Sequence, residues 1–390
     1  MDQRAWLAFL FLCLLSLSSD VVYEGARSVS GAFLNLLETP AIALGILGVG
    51  EFVSYGMRFL SGLLVDRMAS SGLQWRLIYA GYAVNLAIPL LALVGRWEMA
   101  LGLLLLERIG KGLRHAPRDV ILAELTKGFG RGKGFGIHEL MDQIGAILGP
   151  LIFALALHRR GVPSGYPLGF SILWIPAILS LLFLAFARIH YRRTSPPQGM
   201  PREGAPLGWG FWSFSIGGFL TGAGLLHWGI VSFHSAEAER LGLLLAKDIA
   251  LLYLVAMVVD AIIAPLAGLI YDTVGLKAVM MGPIFSVAVS PLVFGLGGAQ
   301  GLYLGACFWG AAVGIIESVM RAGVSELVPA QRLALAYGIF SLGLGLGFMV
   351  GSVTASILYS LGCPLAISAF CAGCELLALL AFYRSLKRQP

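Results

Sequence analysis

The sequence predicts an all-α membrane protein with twelve transmembrane helices in two pseudo-symmetric six-helix bundles. Composition is the first reason. Of 390 residues, 58% are hydrophobic and 12% charged, and the mean hydropathy is +0.85. Soluble domains run at about 45–50% apolar and about 25% charged, so this chain has too little charge to coat a soluble surface of its size. The same figures exclude a disordered, collagenous or disulfide-stapled chain. Length is the second reason. A span needs about 20 apolar residues and a connector about 10, which makes room for about twelve or thirteen spans. Third, the apolar runs are long and continuous rather than alternating, which excludes a transmembrane barrel. The 51 glycines suit helices that approach closely within a bilayer.

The spans are placed at about 5–37, 40–64, 75–94, 97–116, 134–157, 168–187, 209–232, 243–270, 277–297, 300–322, 332–358 and 362–384. Ala5 to Leu17 has the look of a signal-peptide core. Only Arg4 precedes it as a basic residue and no small-residue cleavage site follows, so it reads as the start of a retained span. Between the sixth and seventh spans lies RIHYRRTSPPQGMPREGAP, rich in Arg, Pro and Gly. This cytoplasmic linker, 188–208, divides an N-terminal bundle over 1–187 from a C-terminal bundle over 209–390. Lys and Arg concentrate on the side of the N-terminus, at Arg67, Arg76, Arg118, Lys127, Arg131, Lys133 and through the linker. That places both termini in the cytoplasm and the chain in the cell inner membrane. Arg159 and Arg160 run against the trend. The net charge of +6 is spread between apolar runs, not gathered on one face, so no nucleic-acid partner is implied. The five cysteines all sit in or beside apolar segments, and the Cys371-x-x-Cys374 pair lies inside a span without a second pair, so they read as packing residues.

The two halves repeat. Gly62-Leu-Leu-Val-Asp66-Arg67 follows the second span, and Gly268-Leu-Ile-Tyr-Asp272 follows the eighth. The fourth span carries Glu107 and Lys111; the tenth carries Glu317 and Arg321 at the same spacing. The fifth has Gly136-Ile137, Gly145 and Gly149, and the eleventh has Gly338-Ile339, Gly347 and Gly351. Three matches in one order point to a tandem duplication, with a site between the halves.

Through these residues the sequence resembles the major facilitator superfamily. Gly62-x-x-x-Asp66-Arg67 is similar to the first part of the family's loop motif GxxxDRxGRR, and Gly268 and Asp272 look like its second-half copy. Leu105-x-x-Arg108-x-x-Lys111-Gly112 is similar to the family's LxxRxxQG, with Lys for Gln. Gly149-Pro150 resembles part of the antiporter motif GxxxxxxxxGPxxGG. YEGARS at 23–28, ERIGK at 107–111 and HELMDQIGAILGP at 138–150 resemble a bacterial subgroup of the superfamily. The resemblance covers essentially the whole chain. It implies alternating access between two bundles, with Gly62, Asp66, Arg67, Gly268 and Asp272 as gating loops.

Ionisable groups within spans cost a few kcal/mol each on insertion scales, so they face the bundle interior or a wet cavity. Residues at i, i+4, i+7 and i+11 share a helix face. The first span places Asp20, Glu24, Arg27 and Gly31 there. The second places Glu51, Tyr55, Arg58 and Gly62, the fourth Glu107, Lys111, Arg114 and Arg118, and the fifth His138, Asp142, Gly145 and Gly149, with Glu139 to one side. Two readings stay open: ion pairs that lock the first bundle, or a proton relay and substrate cavity formed by these residues with Arg108 as a counter-charge. In the second half, His227, Asp260, Glu317 and Arg321 are cavity candidates. Asp260 is isolated and needs a partner or a proton, His234 belongs to the outer interface, and Glu375 snorkels or pairs. His138 and Asp142, at i and i+4, are a weaker metal candidate.

No GxxxxGK[ST] motif is present, so ATP is not the energy source implied. Gly343, Gly345 and Gly347 read as close helix packing. The function predicted is secondary active transport of a small solute, proton-coupled efflux by a monomer without cofactors. The alternatives are an importer of an organic anion held by Arg27, Arg58 or Arg108, a divalent-metal transporter, and a non-transporting membrane receptor or assembly factor. An enzyme is disfavoured by the lack of a nucleophile or metal motif.

Overall fold

A computed structural model describes residues 3–68, 71–126, 130–191, 207–329 and 332–387. The helices are α1 (Gln3–Leu36), α2 (Gly45–Met68), α3 (Ser71–Ala83), α4 (Trp97–Leu125), α5 (Arg131–Arg160), α6 (Gly165–Ile172), α7 (Trp174–His190), α8 (Trp209–Gly224), α9 (Trp228–Arg240), α10 (Asp248–Val274), α11 (Met281–Gly295), α12 (Gly298–Leu327), α13 (Leu333–Ser360) and α14 (Pro364–Leu386). The protein is a multi-pass helical membrane protein. Residues 192–206 of the expected linker, Lys127 and the side chains of Asp66 and Arg131 lie outside the described residues.

Among the described residues, ten stretches are long and apolar enough to cross a membrane. Two physical causes separate that count from twelve. One stretch, Asp248–Gly295, runs 48 residues and holds both α10 and α11, which are joined through Gly275 at φ 64°. The other is α4, whose many charged residues keep it out of the count although it is 29 residues long. Three spans are built from pieces. Short 3-10 turns at Val84–Ala87 and Pro89–Leu93 extend α3, Leu173 separates α6 from α7, and residues 225–227 interrupt the span made by α8 and α9.

Two sequence boundaries need correction. The fourth span does not stop near 116 but runs through Pro117 to Leu125, and the Pro117 carbonyl accepts from Gln74 Nε2 at 2.9 Å. The eighth begins at Asp248 rather than 243. Apolar residues 241–245 form a turn instead, with Gly242 at φ 72° and the Leu245 N–H donating to Asp248 Oδ2 at 3.0 Å.

The repeat seen in the sequence has a packing meaning. In the first half α5 lies on α1, and Gly149 is the point of closest approach: an added Cβ would stand 2.9 Å from Gly25 Cα. In the second half α13 lies on α8, and a Cβ on Gly351 would stand 2.9 Å from Ala223 Cα. The halves themselves meet through α2 with α13, α5 with α10, and α1 with α9. Large apolar side chains such as Ile175, Leu182, Leu266, Leu269, Leu376 and Leu380 are exposed around the outside, as a bilayer-facing surface requires.

Candidate functional site

A cavity of ≈ 620 Å³ lies between the halves. The first half contributes α1, α2 and α4; the second contributes the α8–α9 break, α12 and α13. The stripe predicted on the second span lines it in full, with Glu51, Tyr55, Arg58 and Gly62. Glu24, Arg27, Lys111, His227, Glu317 and Arg321 line it as well. Aromatic rings fill much of the remaining wall: Tyr23, Phe59, Trp228, Trp309, Phe340 and Phe348. The lining continues to Leu63 of α2 and to Arg332 and Leu335 at α13, at the end where α1 starts.

The opposite end is closed. There α1 and α9 touch backbone to backbone, and a Cβ on Gly31 would stand 2.6 Å from Phe233 N. Ala32 N–H donates to Ser232 Oγ at 3.1 Å, Ser232 Oγ–H donates to the Ser28 carbonyl at 3.2 Å, and Trp228 Nε1–H reaches the same carbonyl at 3.3 Å. Further out, Arg240 donates to the Asn35 carbonyl at 3.3 Å. On the other flank Gly45 and Gly48 of α2 pack on Val353 and Ser352 of α13.

Among the described residues, many charges inside the first half are paired. Arg27 lies 3.6 Å from Glu24 and 3.9 Å from Glu51; Arg108 lies 3.2 Å from Glu51 and 4.0 Å from Glu107; Arg114 lies 3.5 Å from Glu107. Glu24, Arg27, Glu51, Arg108, Glu107 and Arg114 therefore form one alternating chain of three acids and three arginines. Arg114 is also fixed by Asn85 Oδ1 at 2.7 Å, and Asn85 donates to Ser19 at 2.7 Å. Arg58 pairs with Asp119 at 3.3 Å, and Arg118 with the same carboxylate at 3.0 Å. Tyr253 donates to Glu24 across the halves. Tyr23 anchors the other side of the chain. Its hydroxyl accepts from Arg108, and its ring lies under Lys111 Nζ at 3.3 Å and Arg27 Cζ at 5.9 Å. Among the described residues Lys111, Glu317 and Arg321 line the cavity without an ion-pair partner.

The α8–α9 break carries its own satisfaction. The Leu226 carbonyl accepts from Trp309 Nε1 at 2.9 Å, and His227 caps α9 by accepting the Gly229 N–H on Nδ1 at 3.0 Å. An accepting Nδ1 leaves the proton of the neutral ring on Nε2. That atom is 3.9 Å from Glu51 and makes no hydrogen bond. His227 is thus a capping residue at a helix break, not a mid-helix residue as the sequence suggests.

Other predicted site residues lie off the cavity lining. The fifth-span stripe faces α1: Gly145 packs against Asp20, His138 Nδ1 is 3.4 Å from Asp142, and Asp142 lies near enough to Asp20 to feel its charge. His138 Nε2 meets Ser16 Oγ at 2.8 Å, and Ser16 also takes Arg118 at 2.9 Å. A cation is therefore already seated beside His138, and no group of three His, Cys, Asp or Glu suited to a metal occurs among the described residues. Glu107 and Arg108 serve the charge chain. Glu139 is exposed. Asp260 is not isolated. Gln143 of the first half donates to its Oδ2 at 3.3 Å, which ties α5 to α10. Gly62 lines the cavity, whereas Arg67 near the end of α2 and Asp272 on α10 are exposed and Gly268 on α10 is half-buried. His115, Trp228 and Trp309 also line the cavity, and no sequence pattern had marked them. Tryptophan and histidine in an apolar span have no signal beyond their own chemistry.

No protein-family model matches the chain. An uncharacterized protein of Mycobacterium tuberculosis is 34% identical over 367 residues, covering 92% of this chain and 88% of that one. The uncharacterized MFS-type transporter MJ1317 of Methanocaldococcus jannaschii is 26% identical over 82% of this chain and 80% of its own. The multidrug resistance protein MdtH of Photorhabdus laumondii matches over 45% of this chain and 43% of its own, at 28% identity. Among solved structures, the nucleoside transporter NupG superposes with a TM-score of 0.73 over 100% of both chains, at 16% identity.

Proposed function

The chain belongs to the major facilitator superfamily of membrane transporters, and from that premise we propose that it carries a small organic anion together with protons. One observation carries the reading. The alternating chain from Glu24 to Arg114 cancels its own charge, which leaves Lys111 and Arg321, one from each half, against Glu317 in an aromatic-walled cavity. Unpaired cations amid rings suit a carboxylate, sulfonate or phosphate attached to an apolar body. Glu24 and the Asp20–Asp142 neighbours are the acids we assign to protons, because Glu24 faces the cavity and the other two join α1 to α5. Transport would proceed by rocking of the N-terminal half, 1–187, against the C-terminal half, 209–390. With both termini cytoplasmic, the closed end is the outer one and the chain is in an inward-facing state.

The test is binding and flux with an aromatic sulfonate, which does not cross lipid unaided. The purified chain should melt higher with naphthalene sulfonate than with an organic cation of like size, and Lys111→Gln should remove the difference. In proteoliposomes an acid-outside gradient should drive its uptake. Equal stabilisation by anions and cations would sink the anion assignment. The second reading is proton-driven efflux, which the similarity to MdtH favours; it predicts that the same gradient expels solute. The Gly149-Pro150 resemblance lends it less, because Gly149 serves the α1–α5 contact within one half.

A further inference from the structure

Away from the cavity, in the second half, one carboxyl group has no use in the reading above. Glu375 of α14 is 1% exposed, and both its oxygens lack a hydrogen-bond partner. The sequence expectation that it snorkels or pairs is therefore not met. Its surroundings are definite. Gly224, the last residue of α8, lies directly against it: a Cβ there would stand 2.6 Å from Oε1 and 2.7 Å from Cδ. Glycine is needed at this point so that the carboxyl can reach the backbone. Ser286 of α11, also 1% exposed, turns its hydroxyl toward the carboxyl from just outside ordinary hydrogen-bond geometry.

The electrostatics at this junction have one sign. The C-terminal end of a helix carries a partial negative charge, and its last carbonyls have no helical donors. A carboxylate held there without an N–H, a guanidinium or an ammonium is repelled from the place it occupies. A cation between them reverses the sign of every term. Polar groups also lead outward from the spot along two neighbouring helices. Ser290, one turn beyond Ser286 on α11, meets Ser368 of α14 at 3.0 Å, and Cys371 is next to both levels. Ser368 is partly exposed near the start of α14, at the end away from the cavity lining.

We propose that Glu375, Ser286 and the carbonyl end of α8 form a cation site, occupied by a sodium ion that arrives along the Ser368–Ser290 ladder. The donor set is oxygen alone, which suits a hard cation, and discontinuous helices expose such carbonyls. One carboxylate balances one monovalent charge and leaves a divalent ion uncompensated. The close seat against Gly224 favours a small ion. Because the ion would tie α14 and α11 to the end of α8, it would brace the break beside His227, whatever solute the cavity takes.

The test uses the purified full chain at constant ionic strength. Melting in sodium chloride, potassium chloride and choline chloride, at pH 6 and pH 8, should show a rise in Tm specific to sodium at both pH values. Binding of 22Na+ should saturate near one ion per chain and yield to unlabelled sodium but not to potassium. Ser286→Ala should weaken apparent sodium affinity about tenfold, and Glu375→Gln should abolish it. If Glu375→Gln does not fold, the wild-type 22Na+ measurement and Ser286→Ala decide the matter. The proposal is overturned if the wild type binds no 22Na+, if Ser286→Ala binds unchanged, or if stability follows pH alone with sodium and choline indistinguishable, which would make Glu375 a proton site.

Discussion

A single methyl group added at Gly31 separates contacts that hold a half together from contacts that hold the two halves shut. The Cβ of Gly31→Ala would stand 2.6 Å from Phe233 N and 2.9 Å from Gly229 C, both on α9. The Gly229 carbonyl oxygen would be nearer still, at 1.9 Å, so ordinary contact requires the two backbones to part by about 1.5 Å, and overpacking of this kind costs about 1–3 kcal/mol. Because the contact joins the halves only when this end is closed, the cost falls on that state alone. The ratio of closed to open should then drop by about 5- to 150-fold. Gly149→Ala is the matched control, with its Cβ 2.9 Å from Gly25 Cα inside the first half. Its cost falls on every folded state equally, so Tm should drop while the conformational ratio stays put. Spin labels on the exposed positions Leu93 and Leu241, one in each half, report the separation by pulsed electron resonance in a chain whose five cysteines are replaced. Gly31→Ala should move the distance distribution to longer values. An unchanged distribution, or an equal shift in Gly149→Ala, would refute the view that α1 and α9 form a gate.

Three further outcomes follow from the site. Lys111→Gln should weaken naphthalene sulfonate binding at least tenfold with little change in Tm, whereas Arg114→Gln leaves the buried Glu107 only the longer 4.0 Å contact to Arg108 and should cost about 3 kcal/mol, read as lost expression or a sharply lower Tm. Glu24→Gln or Asp142→Asn should abolish uptake driven by a pH gradient while solute exchange at equal pH persists; a lower Tm with pH dependence intact would assign both residues to holding the bundle. His227→Ala removes the cap of α9 and should cost about 0.5–2 kcal/mol, with His227→Asn restoring most of the lost Tm, since asparagine can accept the same Gly229 N–H.

The sequence made the bundle legible because its strongest signals are those a bilayer imposes. Continuous apolar runs, glycines four apart at 145 and 149 and again at 347 and 351, and charges at helical spacing all survive into the packing. The Glu51–Tyr55–Arg58–Gly62 face does line the cavity, because one face of a straight helix is fixed by its period. Periodicity does not say which neighbour a face meets. The same argument applied to His138 and Asp142 finds a face too, but one pressed on α1. Likewise Glu107 and Glu317 occupy matching repeat positions, yet Arg114 and Asn85 bury Glu107 in the charge chain while Glu317 lines the cavity. The break at 225–227 was hidden because Leu-Leu-His is as apolar as the helices beside it, and only the Trp309 and His227 bonds across it make it tolerable. Pairing partners from the other half, such as Gln143 for Asp260, are invisible to any local pattern.

The self-cancelling chain from Glu24 to Arg114 has a consequence for how the two cargoes could sense one another. Six alternating charges within 4.0 Å of their neighbours present almost no field at a distance. A proton landing on Glu24 erases one negative member and leaves Arg27 half unanswered beside the aromatic wall. At an effective dielectric near 20, a full charge at about 4 Å is worth about 4 kcal/mol to an opposite charge, or about a thousandfold in binding. An anion entering after the proton would meet a site remade by arithmetic rather than by movement. The rocking of the halves would then be left with a single task, to change which side of the membrane sees the result.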